Sequence, residues 1–171
     1  MIAKPRLVPL DQPTDPDTAP SHQGGPHISQ AVDTLARTLW GEARGEGRHG
    51  MEAVAAVIMN RVAIADRRGG RYWWGAHVVA VCRRPWQFSC WNANDPNRRQ
   101  LEAVTEQDPV FATALTVARH AINGLLTDPT APAGEFGATH YHARGITPHW
   151  AIGKRPVATI GRHIFFRLVD G

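Results

Sequence analysis

Apolar residues recur at helical spacing through most of this chain and at strand spacing only near its end. Val32, Leu35, Ala36 and Leu39 fall at i, i+3, i+4 and i+7, one face of a helix. Ser29 stands ahead of that face as an N-cap, and Gly45 and Gly47 interrupt the pattern after about Ala43. A second helix, from near His49 to near Asp66, carries a stripe of Met51, Val54, Ala55, Ile58 and Val62. Its alanine-rich segment "AVAAVIMN" predicts close packing against a neighbouring helix. "GAHVVAVC" predicts a short helix or turn. It leads into a long loop, "RRPWQFSCWNANDPN", where Pro85, Pro96 and the Asn/Asp cluster oppose regular structure. "DPVFATALTVARHAINGLL" is the clearest helix, capped by Asp108 with Pro109 in the first helical position, where a missing N–H has no consequence. Beyond it "ATHYHA" alternates like a strand, and "PVATIGRHIFFRLV" reads as two short strands with a turn near Gly161-Arg162. The pattern predicts an α+β domain over residues 29–171, mainly helical with a small C-terminal antiparallel sheet. Residues 1–28, rich in Pro, Asp, Thr and Gly, predict a disordered arm.

Composition adds little to the fold and something to the choice of partner. Of the 171 residues, 43% are hydrophobic and 20% charged, which suits an ordinary globular protein. No run of about 18 apolar residues is present, so membrane insertion is not expected. The net charge of +4 favours an anionic partner such as nucleic acid, a lipid face or cell wall polymer. The arginine pairs 67–68, 83–84 and 98–99 are scattered and form no basic tail, so nucleic acid is not expected as the partner. The N-terminus lacks an apolar stretch followed by a cleavage site, so no secretory signal peptide is expected and delivery to a wall would need another route. Cys82 and Cys90 bracket "RRPWQFS"; they could close a disulfide loop in an oxidising compartment, or be two buried thiols.

Three segments combine polar and aromatic residues: "GEARGEG", "RRPWQFSCWN" and "THYHARGITPHW". They fall at a helix end, in a loop and around a strand, positions that often line a cleft. Trp86, Phe88 and Trp91 could equally anchor the loop, and Tyr141 could be an ordinary strand residue. Glu42 follows Leu39 and Trp40, and apolar surroundings would favour a protonated carboxyl, the state a glycosidase acid needs. Glu46 lies four residues on; in a continuous helix the two would stand about 5–6 Å apart, close to the retaining-glycosidase gap of about 5–5.5 Å. Two residues on one helix face form one wall of a site rather than flanking a bond. Glu42 therefore reads as a lone acid/base and Glu46 as a supporting residue. His140 and His142 share one side of a strand and, with His149, could hold zinc. No HExxH accompanies them and no acidic ligand is fixed by spacing, so no metal or other cofactor is expected. Stacking and hydrogen bonding to a sugar suit the cluster better.

The segments "LARTLWGEARGEGRHGMEAVAAVIMNRV", "VCRRPWQFSCWN" and "GATHYHA…PHWA…ATIGRHIFFR", in that order over roughly residues 32–167, are similar to the SleB-type cell wall hydrolases, the spore cortex-lytic enzyme family. The resemblance implies a lysozyme-like fold and cleavage of peptidoglycan between N-acetylmuramic acid and N-acetylglucosamine, by a lytic transglycosylase or muramidase; a monomer is expected. It implies that Glu42 is the catalytic glutamate, that Gln87 is a cleft glutamine and that Tyr141 is a cleft tyrosine. Phe88, Ser89 and His142 of the same motifs join Gln87 and Tyr141 as expected substrate contacts. Family members carry the two cysteines around the QFS loop, which favours a Cys82–Cys90 disulfide. The absence of a signal peptide and of a repeat domain departs from the spore enzymes and suggests a lysin of a phage or phage-like particle. The rival readings are a zinc-dependent amidase and a non-catalytic peptidoglycan-binding component of such a particle.

Overall fold

The structure, a computed structural model, describes residues 29–132 and 135–168; the arm expected over residues 1–28 lies outside them. Five helices are followed by three strands: α1 (Gln30–Ala43), α2 (Gly47–Arg67), α3 (Val78–Arg83), α4 (Arg98–Ala103), α5 (Pro109–Ile122), β1 (His140–Ala143), β2 (Ala158–Ile160) and β3 (His163–Phe166). Single 3-10 turns occur at Ser89–Trp91 and His149–Ala151. Two predicted caps form: Ser29 Oγ accepts from Val32 N–H at 3.3 Å, and Asp108 Oδ1 accepts from Val110 and Phe111 N–H at 2.8 and 2.9 Å. Helix α4 and the 3-10 turn at Ser89 arise within or just after the segment read as irregular. No helix among the described residues is long and apolar enough to cross a membrane.

Helices α1, α2 and α5 share one core, with Leu35 and Leu39 from α1, Val54 and Ile58 from α2, and Leu115 and Ala118 from α5 all buried together. Helix α2 is buried on two sides. Its predicted stripe faces the helices, while Ala53 and Val57 meet Ala138 and Phe165 under the sheet. A helix enclosed on both faces carries small apolar residues around most of its circumference, which the alanine-rich segment supplies. Phe165 is fully buried at that second contact; its truncation to alanine would cost about 3–5 kcal/mol and loosen the sheet from α2.

The sheet order is β1-β3-β2, antiparallel throughout. Tyr141 of β1 is opposite Phe165, and Ala143 is opposite His163. Ile160 pairs with His163 across the two-residue Gly161-Arg162 loop. Gly161 has φ +56, as the first position of a type II′ hairpin requires.

Candidate active site

The last turn of α1 carries Glu42, and three donors from distant parts of the chain converge on its carboxylate. Tyr141, 99 residues later on β1, donates its hydroxyl to Oε2 at 3.0 Å. Cys90 N–H donates to Oε1 at 3.0 Å, and Ser89 Oγ lies 3.4 Å from the same oxygen. The Ser89–Trp91 turn reaches Glu42 because Gly41 lets it: a side chain at position 41 would run into Cys90 Cβ and Sγ. The same turn is fastened one helical turn back, where the buried Trp91 indole donates to Thr38 Oγ1 at 2.9 Å.

Burial, together with the charge and hydrogen bond of Glu42, holds the Tyr141 phenol well above its ordinary value of 10. Tyr141 therefore stays protonated and serves as a donor rather than a base. Glu42 opens on a cavity of about 350 Å³ whose walls include Gly41, Arg44, Glu46, Ala143, Arg144, Arg162 and His163.

Glu46 does not share a helix with Glu42. Helix α1 ends at Ala43, and Glu46 is the N-cap residue of α2. Its side chain, 5% exposed, pairs with Arg162: Nε at 2.8 Å from Oε1 and the backbone N–H at 2.7 Å from Oε2. Any side chain at Gly161 would collide with this carboxylate. Glu46 thus ties the β2–β3 hairpin to the α1–α2 junction and is occupied by an ion pair. Burial pushes its carboxyl up, but the hydrogen bonds and charge of Arg162, with His163, bring it below 4.5.

His163 lies against the same carboxylates, buried, with Nδ1 lacking a partner among the described residues. Burial lowers its pKa below 6.5 against the pull of Glu46 and Glu42. Both groups destabilise the fold in acid. Below pH 6.5 the unfolded chain binds a proton that the folded His163 refuses, and near 4.5 it protonates Glu46 before the folded state does. Glu46→Gln is expected to flatten the fall in thermal stability below about pH 4.5, and His163→Asn the fall just below about pH 6.5, in melts run across pH. An unchanged acid limb in Glu46→Gln would remove the Arg162 pair from the stability of the fold.

Arg61, unremarked in the sequence beyond its place in "MNRV", lies under the site. It is buried within α2, donating to Thr139 O at 2.8 Å through Nε and to Gln87 Oε1 at 2.9 Å through Nη1. Its guanidinium lies over the Trp74 and Phe88 rings at 5.4 and 5.5 Å. Burial lowers its pKa to about 10, so it remains charged near neutrality. Asn60 beside it donates to Asp128 Oδ2 and Ala138 O at 2.8 and 2.9 Å. The Asn-Arg pair thereby fastens the segment leading into β1, and with it Tyr141. An arginine inside an apolar helical stripe was the signal available for this role.

The structure does not gather all the expected contacts around Glu42. Ser89 and Tyr141 touch it, and Gln87 lines a neighbouring cavity together with Tyr141. Phe88 requires correction: it is 1% exposed, because the extended residue before the 3-10 turn points into the core, where no substrate can touch it. His142 does not join Ser89 and Tyr141 at Glu42, since strand alternation turns it away from Tyr141 and Glu42. Its ring stacks on Phe166 at 5.4 Å and meets Trp150 at 5.7 Å. His140 shares that side and meets Trp150 at 5.3 Å. No group of three His, Cys, Asp or Glu among the described residues is placed to hold a metal ion. The expected Cys82–Cys90 bond is not formed here; both cysteines are buried free thiols. Burial pushes Cys82 up to about 12 and raises Cys90 as well, with the Glu42 charge adding to the latter, so both remain protonated. Asp95 and Glu135, two further carboxylates that could activate a water, are not among the described residues lining the Glu42 cavity: Asp95 accepts from Asn97 N–H at 2.8 Å and Glu135 pairs with Arg167 at 2.6 Å.

Trp86 is the other unusual residue of the loop. It has φ 68, a left-handed conformation that costs a non-glycine residue about 1–3 kcal/mol, and its side chain is 82% exposed.

A sequence profile described as Cell Wall Hydrolase matches residues 45–166. The chain is 28% identical over 153 residues to the spore cortex-lytic enzyme of Bacillus subtilis (strain 168), covering 87% of this chain and 41% of that protein. It thus spans about two-fifths of that relative's length. Among solved structures, the catalytic domain of the germination-specific lytic transglycosylase SleB from Bacillus anthracis is similar at TM-score 0.58 and 29% identity, covering 83% of this chain and 98% of that one. The catalytic domain of the Bacillus cereus SleB protein is similar at TM-score 0.56 and 30% identity, covering 82% and 93%. The mainly helical architecture with a three-stranded C-terminal sheet is that of these catalytic domains. These relatives are bacterial, and they give the phage expectation no support.

Proposed function

The chain belongs to the Cell Wall Hydrolase family, and from that premise we propose that it cleaves the glycan strand of peptidoglycan between N-acetylmuramic acid and N-acetylglucosamine, with Glu42 as its single acid/base. The observation that carries this reading is the carboxylate of Glu42, held by Tyr141, Cys90 and Ser89 at the mouth of a cavity whose other acid, Glu46, is engaged by Arg162. The profile match begins three residues beyond Glu42, so the assignment to Glu42 rests on this geometry and on the "EARGE" motif.

Protonated Glu42 gives its proton to the glycosidic oxygen as the C1–O bond breaks. Among the described residues Oε2 accepts from Tyr141 while Oε1 has two donors, so Oε2 is the better placed to carry that proton. Among the described residues the cavity's other carboxylate is Glu46, which Arg162 holds, so the substrate's own N-acetyl group stabilises the carbocation-like C1, a known exception to the two-carboxylate scheme. Ionised Glu42 then takes the proton of the muramoyl C6 hydroxyl as that oxygen bonds to C1. The product is a 1,6-anhydro sugar, Glu42 is again protonated, and no water is consumed. A lytic transglycosylase is named among the similar structures, which favours this outcome over hydrolysis.

Mass spectrometry of digested peptidoglycan tests the reading. Anhydro-muropeptides are expected; reducing muramic acid ends would make the protein a muramidase, and free peptides would make it an amidase. Tyr141→Phe removes one hydrogen bond to Glu42, worth roughly 1.5–3 kcal/mol to the fold, so a moderate fall in melting temperature is expected, and turnover measured where both proteins are folded should fall by about tenfold or more. A Tyr141→Phe variant with wild-type turnover would take the hydroxyl out of the mechanism.

A further inference from the structure

We propose that Trp86 and Trp73 form a stacking subsite for one sugar ring of the glycan strand, beside Tyr141 on the side of the site away from Glu46. The proposal rests on the reading of Glu42 as the acid of a glycan-cleaving enzyme.

The chain has six tryptophans. Trp40, Trp74 and Trp91 are buried, whereas Trp73 and Trp86 are 45% and 82% exposed. Both exposed rings border the same cavity of about 290 Å³, together with Trp150, Gln87, Tyr141 and Arg61. That volume is near the lower limit of small-molecule sites, roughly 300–1,000 Å³, and suits a single ring. Its chemistry is amphipathic. Indoles stand at the rim, and Gln87, fixed by Arg61, stands with the His140 ring as polar groups. A pyranose has the matching character, with C–H faces that stack on aromatic rings and a belt of hydroxyl and acetamido groups that hydrogen-bond. No carboxylate is among the described lining residues, which suits a neutral N-acetylated sugar.

Two features set Trp86 apart from a loop anchor. Its left-handed backbone is unfavourable for any residue but glycine or a few polar ones, and its exposure means that burial in the free protein does not offset this. It also borders a second hollow with Arg83 and Asn92, so the indole stands as a partition between two cavities. Tyr141 joins the subsite to the reacting centre: the residue that lines this cavity also bonds Glu42 at 3.0 Å. A ring stacked on Trp86 and Trp73 therefore belongs to the strand being cut, adjacent to the bond that Glu42 protonates.

The test compares wild type with Trp86→Gly, Trp86→Phe and Trp73→Ala on purified peptidoglycan, with thermal melts of each. Trp86→Gly relieves the left-handed strain, so its melting temperature should equal or exceed that of wild type, while KM rises roughly three- to tenfold with a smaller change in kcat. Trp86→Phe should recover most of the loss in KM, and Trp73→Ala should raise KM as well. A Trp86→Gly variant that melts lower and keeps its KM shows a structural loop anchor and overturns the proposal. Co-sedimentation with peptidoglycan, measured in parallel, separates the two levels of the argument. Wild-type protein that binds but releases no muropeptides overturns the reading of Glu42 and leaves the subsite standing, provided Trp86→Gly weakens sedimentation. Sedimentation unchanged in Trp86→Gly overturns the subsite whatever the activity.

Discussion

Glu42→Gln is expected to abolish release of anhydro-muropeptides from purified peptidoglycan, with a fall of at least about 10²–10⁴-fold, the usual contribution of a general acid/base. On the proposed mechanism one group both delivers and recovers the proton, and among the described residues the cavity's other carboxylate, Glu46, is held by Arg162. Glutamine keeps the shape, and its amide oxygen can still accept from either Tyr141 or Cys90. Its amide nitrogen must face one donor, so a small loss of stability is expected and no unfolding. Glu46→Gln reverses the pattern, with a greater effect on stability in the pH melts than on turnover, because Glu46 is held by Arg162 in the hairpin. Activity measured at saturating peptidoglycan, alongside a melt of each variant, separates the two roles. Wild-type cleavage by Glu42→Gln would sink the assignment; a large drop in its melting temperature would instead mark Glu42 as a fastener of the Ser89–Trp91 turn.

Arg61→Met is expected to lower stability and turnover together. It deletes two hydrogen bonds from a charged donor, to Thr139 O and Gln87 Oε1, each worth roughly 1.5–3 kcal/mol. Removing the guanidinium also lifts the penalty of burying its charge, so a net loss of about 2–4 kcal/mol is expected. For a domain of this size that lowers the melting temperature by roughly 5–15 °C. Turnover should fall too, measured at a temperature where both proteins are folded, because Thr139 leads into β1 and Gln87 into the Ser89 turn, the two elements that supply donors to Glu42. Arg61→Lys reaches one acceptor in place of two and should lie between. A melting temperature equal to wild type in Arg61→Met would show that the two acceptors are satisfied without it.

Much of the architecture is written locally. Ser29 and Asp108 cap helices through hydrogen bonds to residues two or three positions on, and both caps form as the sequence predicts. The stripes on α1, α2 and α5 are periodicities within single helices, and Gly161-Arg162 fixes the hairpin through its own backbone. The family motif was legible as well, because its residues stand in a fixed order along the chain. Helix α4 was not legible, since Pro96 and the Asn/Asp cluster just before it mask its short length.

Which side of the loop faces substrate could not be read from order alone. Trp86 and Phe88 are two residues apart and equally apolar, yet Phe88 is buried over Arg61 and Trp86 is turned outward. That choice depends on where α2 and the sheet leave space. The same holds for the partners of the two glutamates. Glu46 finds Arg162, 116 residues later, and Glu42 finds Tyr141, 99 residues later. The sequence by itself determined the long helices, the hairpin and the family motif, and it pointed to Glu42 as the proposed acid. Only the tertiary structure decided that Glu42 is free toward a cavity while Glu46 is bound. A hydrogen bond at 3 Å depends on how distant elements pack, and that packing has no local periodicity to announce it.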